Sequence, residues 1–210
     1  MTNAYDPQCR RCVRLARFLD AVRREEPGYF CRPVPPFGDH LAPLLIVGLA
    51  PGKHGANRTG RPFTGDYAGI LLYQTLHRFR LASEPVSTAP DDGLQLHGAR
   101  ITNAVKCLPP DNKPLPAEVR ACNDFLREEV AQSRELRVIL ALGLIAHTAV
   151  LRACGLVPGR HRFAHGAEHG LGGGRILVDS YHCSRYNTNT RRLTATMFQQ
   201  VVGRAVELSA

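Results

Sequence analysis

A glycine-rich stretch at residues 48–69 holds the densest set of side chains that could do chemistry. It follows an apolar run at residues 44–47, which predicts a buried strand. Open α/β sheets bind ligands at the carboxyl ends of such strands, where glycine lets the backbone approach a ligand closely. The GxxxxGK[ST] pattern of P-loop NTPases is absent. The stretch therefore predicts a binding loop rather than an ordinary surface loop, and its polar side chains are His54, Asn57, Arg58, Thr59, Arg61, Thr64 and Asp66.

Four of the seven cysteines form a second candidate set. Cys9 and Cys12 form a CxxC motif before a helical pattern. Cys107 ends a predicted strand, and Cys122 follows after fourteen intervening residues. Four thiolates suit either zinc or a [4Fe–4S] cluster, but a zinc ribbon prefers about two to four residues between paired ligands. The wide second pair therefore favours iron–sulfur, and the alternative is that Cys107 and Cys122 are buried thiols that bind no metal.

Strand and helix patterns alternate along the chain and predict how these residues are positioned. After the first strand, apolar runs predict further strands at residues 99–105, 136–142 and 175–178. Helical spacing predicts one helix after Cys12 and others at residues 68–80, 117–131, 143–154 and 190–208. This alternation favours a parallel sheet that is covered on both faces. Residues 155–174 contain seven glycines and predict a mobile loop.

The charge of the chain favours an anionic partner. Lysine and arginine number 27 against 18 acidic residues, which gives a formal net charge of +9. An excess of arginine suits phosphate recognition, although a basic chain by itself favours nucleic acid only mildly. No apolar run reaches the roughly 20 residues of a membrane span, and the N-terminus lacks a signal-peptide core. We therefore expect a cytoplasmic protein with no membrane partner and no disulfide framework.

Several motifs, in order over nearly the whole chain, resemble the uracil-DNA glycosylase superfamily, and most closely its family 5, type B branch. They are GLAP at residues 48–51, HGANRTGRPFTGD at 54–66, ITNAVKC at 101–107, FAHGAE at 163–168, HCS at 182–184 and NTNT at 187–190. The four cysteines stand at the cluster spacing of that family. Together these motifs are highly specific.

The resemblance implies one domain over residues 1–210, with three α/β/α layers and a central four-stranded parallel sheet. It implies a [4Fe–4S] cluster at one edge, with residues 1–43 packed on the domain and with the ligands Cys9, Cys12, Cys107 and Cys122. It also implies a monomeric DNA repair enzyme. Such an enzyme flips uracil and related deaminated bases out of DNA and hydrolyses the N-glycosidic bond, which leaves an abasic site.

The resemblance also implies roles for individual residues. His182 donates a hydrogen bond to O2 of the departing uracil, which carries negative charge. Phe63 stacks on the flipped base, and Asn103 reads its edge. From residue type alone, core packing of Phe63 and a structural role at a strand end for the other two remain open. The base-binding set is Gly48, Leu49, Ala50, Phe63, Asn103 and His182, and the DNA-binding set is His54, Asn57, Arg58, Ser184, Arg185, Tyr186 and Asn189.

The group that activates water is left open by the sequence. Several glycosylase families have Asp, Asn or Glu where this chain has Ala50, and family 5 shares that absence. Asp66 is the nearest carboxylate in the motif and the second candidate catalytic residue, but an Asp directly before Tyr67 also suits a helix N-cap. A further departure is Cys183, where the superfamily often has a proline that would stiffen the loop.

The alternative function is a non-catalytic iron–sulfur module of the same fold that binds DNA or nucleotides. It would explain the basic charge and the missing general base. The joint presence of His182, Asn103 and Phe63 speaks against it, so we expect an enzyme.

Overall fold

Six strands form one mixed sheet at the centre of the molecule, in a computed structural model that describes residues 5–210. The strands are β1 (Phe37–Gly38), β2 (Leu44–Gly48), β3 (Ala99–Asn103), β4 (Val138–Leu142), β5 (Glu168–Gly172) and β6 (Arg175–Ser180). The helices are α1 (Val13–Glu25), α2 (Ala56–Thr59), α3 (Tyr67–Arg78), α4 (Pro116–Gln132), α5 (Leu144–Ala153), α6 (Arg185–Asn189) and α7 (Ala195–Ser209). None of the helices within residues 5–210 is long and apolar enough to cross a membrane.

The sheet has the order β1-β3-β2-β4-β6-β5. Its four central strands pair in parallel, and β1 and β5 pair antiparallel at the two edges. The sheet is therefore wider than the four strands that the sequence predicts. The prediction of a loop over residues 155–174 is wrong in part, because β5 lies within it. Three of the five residues of β5 are exposed, so the strand lacks the apolar pattern that would reveal it.

Alternating side chains of β2 show how the sheet divides the core into two halves. Leu45 and Val47 face a cluster that contains Leu15 of α1 together with residues of α4 and α5. Leu44 and Ile46 face a second cluster, which is built mainly from α3 and α7. This alternation follows the two-residue period of a strand. All five residues of β2 are buried, as expected for a strand that is covered on both faces.

The parallel register brings the carboxyl ends of the central strands to one edge of the sheet. Gly48 at the end of β2 lies beside Asn103 at the end of β3. Leu142 at the end of β4 lies beside Ser180 at the end of β6. The segments that follow these strands therefore meet at the edge where parallel sheets hold ligands.

Candidate active site

A cavity of about 470 Å³ opens at the carboxyl edge of the central strands. The segments after β2, β3, β4 and β6 all contribute to its lining. The sheet therefore brings together residues that are distant in sequence. The predicted residues that line the cavity are Leu49, Ala50, Phe63, Asp66, Asn103, His182, Ser184 and Arg185.

Phe63 forms one wall of the cavity in an unusual backbone conformation. Its φ is +56°, in the left-handed region that bulky residues rarely adopt. Two glycines make this placement possible. A Cβ at Gly69 would lie 1.8 Å from the Phe63 carbonyl oxygen, and a Cβ at Gly48 would lie 2.7 Å from the Phe63 ring and 2.5 Å from Asn103 Oδ1. Gly48 does not line the cavity itself, so it supports base binding only by leaving room for its neighbours.

Asn103 and His182 each bring an unpaired polar atom to the cavity. Within residues 5–210, Asn103 Oδ1 and His182 Nδ1 are buried and have no hydrogen-bond partner. A buried polar atom without a partner costs about 1–3 kcal/mol, so such atoms are rare in folded proteins. Their presence in one cavity indicates a place for a ligand that carries complementary hydrogen-bonding groups.

His182 lies opposite Phe63 and is kept neutral by its surroundings. The two ring centroids are 6.0 Å apart, with an angle of 26° between the planes. Burial lowers the pKa of His182 to about 4, because the charged imidazolium loses hydration there. The backbone is fixed by Asn187, whose Nδ2 donates to the His182 carbonyl oxygen at 2.8 Å. At neutral pH the ring therefore offers one N–H donor and one acceptor nitrogen.

Asp66 both caps a helix and lines the cavity. Its Oδ1 accepts a hydrogen bond from the backbone N–H of Gly69 at 2.9 Å, which makes Asp66 the N-cap of α3. Burial raises the pKa of Asp66, although backbone N–H groups at Gly69 and Ala68 oppose that shift. A Cβ at Gly55 would lie 2.6 Å from Asp66 Oδ2, so Gly55 leaves space for this oxygen. One carboxylate oxygen, Oδ1, thus serves the helix, and Oδ2 lies on the side of Gly55 and of Gly52, which lines the cavity.

Two of the predicted DNA-binding residues near the C-terminus, Ser184 and Arg185, line the cavity. Ser184 caps α6, and the guanidinium of Arg185 lies 4.8 Å from the ring centroid of Tyr67. Tyr186 is 71% exposed, and Asn189 is exposed at the end of α6. A long cationic side chain therefore borders the cavity, and an exposed aromatic residue follows it in the same helix.

The three DNA-binding residues predicted in the glycine-rich loop are placed differently. His54 and Arg58 are exposed; the hydroxyl of Tyr29 lies 2.8 Å from His54 Nδ1, and Arg58 Nε donates to the His54 carbonyl oxygen. Asn57 is fully buried, and its Nδ2 donates to the sulfur of Cys31 at 3.5 Å. The placement of Asn57 is therefore at odds with its predicted contact to DNA, because no part of its side chain reaches the surface.

The four predicted cysteine ligands line a second, narrow cavity, between α1, α4 and the segment after β3. They are free thiols. The backbone N–H of Lys106 donates to Cys122 Sγ at 3.3 Å. Burial raises the pKa of the Cys107 thiol, and the nearby Cys122, Cys9 and Cys12 raise it further. The fold thus gathers the two cysteine pairs in one place.

Nine residues of the cavity lining were not predicted from the sequence, and three of them have large, exposed aromatic or apolar side chains. Tyr67 follows Asp66 at the start of α3, and Leu144 and Ile145 follow β4 at the start of α5. Leu144 is 58% exposed and Ile145 is 39% exposed, which is unusual for large apolar side chains in adjacent positions. Their position directly after a predicted parallel strand was a usable signal, because every such segment borders the same edge of the sheet.

Comparison with known proteins places these features in a family. Residues 35–205 match the family model of the uracil DNA glycosylase superfamily. A type-5 uracil-DNA glycosylase from Thermus thermophilus is 50% identical over 96% of this chain and 94% of its own length. Proteins of the same name from Pyrobaculum aerophilum and Mycobacterium tuberculosis are 43% and 44% identical, over 94% and 99% of this chain and over 87% and 80% of their own lengths. The chain therefore belongs to the uracil-DNA glycosylase superfamily and, within it, to the type-5 family.

Proposed function

We propose that this protein removes uracil from DNA by hydrolysing the N-glycosidic bond, which leaves an abasic site. The observation that carries this proposal is the cavity in which Phe63, Asn103 and His182 meet, with two buried polar atoms left unpaired. A glycosylase must take its target base out of the helix stack and hold it in such a pocket. The names of the similar proteins support the same activity.

Phe63 and Asn103 supply recognition of the flipped base. The Phe63 ring offers an apolar face on which a planar base stacks. Uracil presents an N3–H donor between two carbonyl acceptors. The unpaired Asn103 Oδ1 is an acceptor for N3–H, and the amide N–H₂ of the same side chain is a donor for O4. A single amide therefore reads both groups on that edge of uracil.

His182 supplies stabilisation of the leaving base. As the bond to the sugar breaks, negative charge develops on uracil, and a fixed N–H donor at O2 lowers the barrier. Because burial holds the pKa of His182 near 4, its neutral ring donates a hydrogen bond and does not transfer a proton as a general acid at neutral pH. The fixed backbone and the contact with the Phe63 ring both support a His182 ring that is positioned before substrate binds.

Asp66 is the candidate for handling water and the sugar cation. Ala50 contributes no polar group to the cavity, whereas Asp66 contributes a carboxylate. One oxygen is committed to the cap of α3, and the other is assigned to orient water or to stabilise positive charge on the sugar. The two interpretations of this residue are thus compatible, since they use different oxygen atoms.

The residues beside the cavity and the net charge supply DNA binding. A charge of +9 attracts the phosphate backbone. Arg185 and Tyr186 stand where a base would leave the duplex, and side chains of this kind offset an unstacking cost on the order of a few kcal/mol. Action as a monomer and a cytoplasmic location remain predictions from the sequence.

Cys9, Cys12, Cys107 and Cys122 are proposed to bind one [4Fe–4S] cluster. All four side chains line one narrow cavity between α1, α4 and the segment after β3. The fourteen residues between Cys107 and Cys122 exceed the spacing of about two to four residues in a zinc ribbon, which favours an iron–sulfur cluster. When bound, the cluster would be a redox-capable centre that ties α1 to α4, and no step of the hydrolysis requires an electron.

Substitution of one ligand tests the cluster. Cys107→Ser should lose most of the iron and the brown colour of anaerobically purified protein, because a cluster of this type is held by four thiolates. Cys154→Ser is the matched control, since burial also raises the pKa of this thiol but it lies outside the cysteine-lined cavity. Equal iron content in both variants, or stoichiometric zinc in colourless wild-type protein, would contradict the proposal.

Release of free uracil tests the function itself. Wild-type protein should release labelled uracil from a G·U duplex and leave alkali-labile abasic DNA, whereas a matched duplex without uracil should stay intact. The alternative of a non-catalytic binding module predicts retention of the G·U duplex without release. That outcome from protein carrying its full iron content would refute the proposed activity.

A further inference from the structure

Three buried side chains with titratable groups form a cluster between α5, β5 and β6, outside the cavity lining. His147 Nδ1 lies 2.8 Å from Asp179 Oδ1, and His169 Nε2 lies 3.0 Å from Asp179 Oδ2. The side chains of His147 and Asp179 are 1% and 0% exposed, and that of His169 is 12% exposed. Charged groups this deeply buried are kept only when they are paired.

The hydrogen bonds of His147 require an additional proton. Its Nε2 lies 3.0 Å from the backbone carbonyl oxygen of His161, which can only accept, so Nε2 must carry a hydrogen. Its Nδ1 faces Asp179, and an ionised carboxylate can also only accept. A neutral imidazole would therefore place two lone pairs against each other. One extra proton between His147 Nδ1 and Asp179 Oδ1 removes that conflict.

The remaining oxygen of Asp179 and the ring of His147 also have neighbours. His169 reaches the second oxygen of Asp179 from β5, and the ring of His161 lies edge-on to His169 at a centroid distance of 5.6 Å. The ring of Phe163 packs against His147 at 5.6 Å. His147, His169 and Asp179 each also offer one possible metal-ligand atom, and these three atoms lie within 4.8 Å of one another, a spacing that a metal ion could use. A proton accounts for every contact with no fourth ligand, and it is the simpler occupant.

The pair joins two walls of the active-site cavity. His147 lies in the first turn of α5, where its N–H donates to the Gly143 carbonyl oxygen and where Leu144 and Ile145 line the cavity. Asp179 lies three residues before His182 on the other wall. Next to it, the Ser180 carbonyl oxygen accepts from the Gly143 N–H at 2.8 Å. Beyond the β4–β6 ladder, the two walls are therefore joined by one backbone hydrogen bond and by the buried contact between His147 and Asp179.

We propose that His147 and Asp179 are positioning residues for the base-excision reaction, held together by one buried shared proton. They fix His182 relative to the first turn of α5, and His169 orients the carboxylate from the opposite side. This inference rests on the proposed function, since it concerns the placement of the group that stabilises the departing base. Neither residue touches the substrate.

The kinetic test compares two variants that lose stability in different places. Asp179→Leu keeps the branching of the side chain but removes both acceptor oxygens, and it should slow single-turnover excision on the order of tenfold to a hundredfold, because a misplacement near 1 Å can have that effect. Its affinity for a duplex with non-hydrolysable 2′-fluorodeoxyuridine should change less than its rate. Val202→Ala in α7, a fully buried position in the other core cluster, should lower the melting temperature and keep the rate.

A conservative variant and two direct measurements complete the test. His169→Gln keeps an N–H donor toward Asp179 Oδ2 and should lose less activity than Asp179→Leu. NMR of the wild type should show one hydrogen-bonded proton between His147 Nδ1 and Asp179 Oδ1, in addition to the proton on His147 Nε2. Metal analysis should show the same metal content in the wild type and in Asp179→Leu.

Each contrary result has a defined meaning. A rate loss in Asp179→Leu no larger than that of Val202→Ala, compared at equal loss of melting temperature, would overturn the positioning role. Loss of one metal equivalent in Asp179→Leu would show that a metal ion occupies the site instead of the proton, and the absence of a proton between His147 Nδ1 and Asp179 Oδ1 would overturn the shared proton. If the wild type released no uracil, the proposed function would fail, while the NMR result would still decide whether the buried pair carries the proton.

Discussion

Two polar clusters near the carboxyl edge of the sheet differ in whether their buried polar atoms have hydrogen-bond partners. In the active-site cavity, Asn103 Oδ1 and His182 Nδ1 are buried without a partner among the described residues. In the neighbouring cluster, both oxygens of Asp179 and both ring nitrogens of His147 are paired. Only two residues separate Asp179 from His182 in the chain.

This difference distinguishes polar atoms of the cavity, which are available to a ligand, from polar atoms of the His147–Asp179 cluster, which are committed to contacts within the fold. An unpaired buried polar atom destabilises the folded chain by about 1–3 kcal/mol, and a ligand that pairs with it removes that penalty. A fully paired cluster gains nothing from a ligand, and its rigidity is what the site can use. Removal of a cavity group should therefore affect reaction rate more than stability, and removal of a paired group should affect both.

The largest expected effect is on His182. His182→Ala should lower the single-turnover excision rate from a G·U duplex about a hundredfold to a thousandfold, the value of one positioned donor to developing negative charge. Binding of the duplex should fall less. The control is His165→Ala, a partly buried histidine whose Nδ1 is already paired with the Tyr181 N–H at 3.1 Å and whose loss should be much smaller. A near-normal rate for His182→Ala, together with an inactive Asp66→Asn, would make Asp66 the principal catalytic group.

Asp66 should show the next largest effect, and two substitutions separate its two roles. Asp66→Asn keeps an N-cap side chain, so stability should hold while the rate falls, by less than in His182→Ala. Asp66→Ala removes the cap as well and should lower the free energy of unfolding by about 1 kcal/mol. The measurements are single-turnover rates and urea denaturation of both variants. Equal rates in the wild type and Asp66→Asn would show that Asp66 acts only as the N-cap of α3.

A smaller and substrate-dependent effect is expected at Arg185. Arg185→Ala should weaken excision from paired DNA more than from single-stranded DNA, because only the duplex requires a base to be unstacked. The matched control is Arg204→Ala, an arginine of α7 that pairs with Glu168 at 2.7 Å and lies outside the cavity lining. Equal losses on both substrates would indicate a simple phosphate contact.

The smallest effect concerns stability at acid pH. Burial holds the pKa of His182 at about 4, below the ordinary histidine value of about 6.5. Between these two values the unfolded chain takes up a proton that the folded chain does not, so this residue makes stability fall as pH decreases through that window. His182→Asn should therefore lose less stability between pH 7 and pH 4 than the wild type does. An equal loss of stability in both proteins, measured by urea denaturation at each pH, would contradict the lowered pKa of His182.

Much of the fold could be predicted because the central strands have strong patterns. The runs that became β2 (LLIVG) and β4 (VILAL) are buried at every position, which produces hydrophobic stretches in the sequence, and the shorter apolar runs of β3 and β6 are buried at most positions. The edge strands were missed for the opposite reason. β1 has only two residues, and β5 is mostly exposed and contains two glycines, so neither differs from a loop by composition.

The site shows a similar division. Phe63, Asn103 and His182 line one cavity, and this common location could be anticipated because parallel strands and a specific set of motifs fix where those segments meet. The burial of Asn57 could not be anticipated, since a polar side chain inside a motif has the same sequence whether it faces DNA or a buried sulfur. Pairing of His147 with Asp179 was also not foreseen, because it joins residues 32 positions apart through side chains alone.

The contacts that hold the loop with His182 determine how that loop responds to heating. Where related proteins often have a proline, this chain has Cys183, whose side chain is fully buried, and the loop is held by the hydrogen bond from Asn187 to the His182 carbonyl oxygen and by the Ser184 cap. Proline restricts a loop by removing conformations from the unfolded chain, a constraint that does not melt. Hydrogen bonds and packing hold a loop by enthalpy and loosen on heating. The catalytic loop of this protein should therefore lose order at a lower temperature than the sheet beneath it, and activity should decline before the fold does.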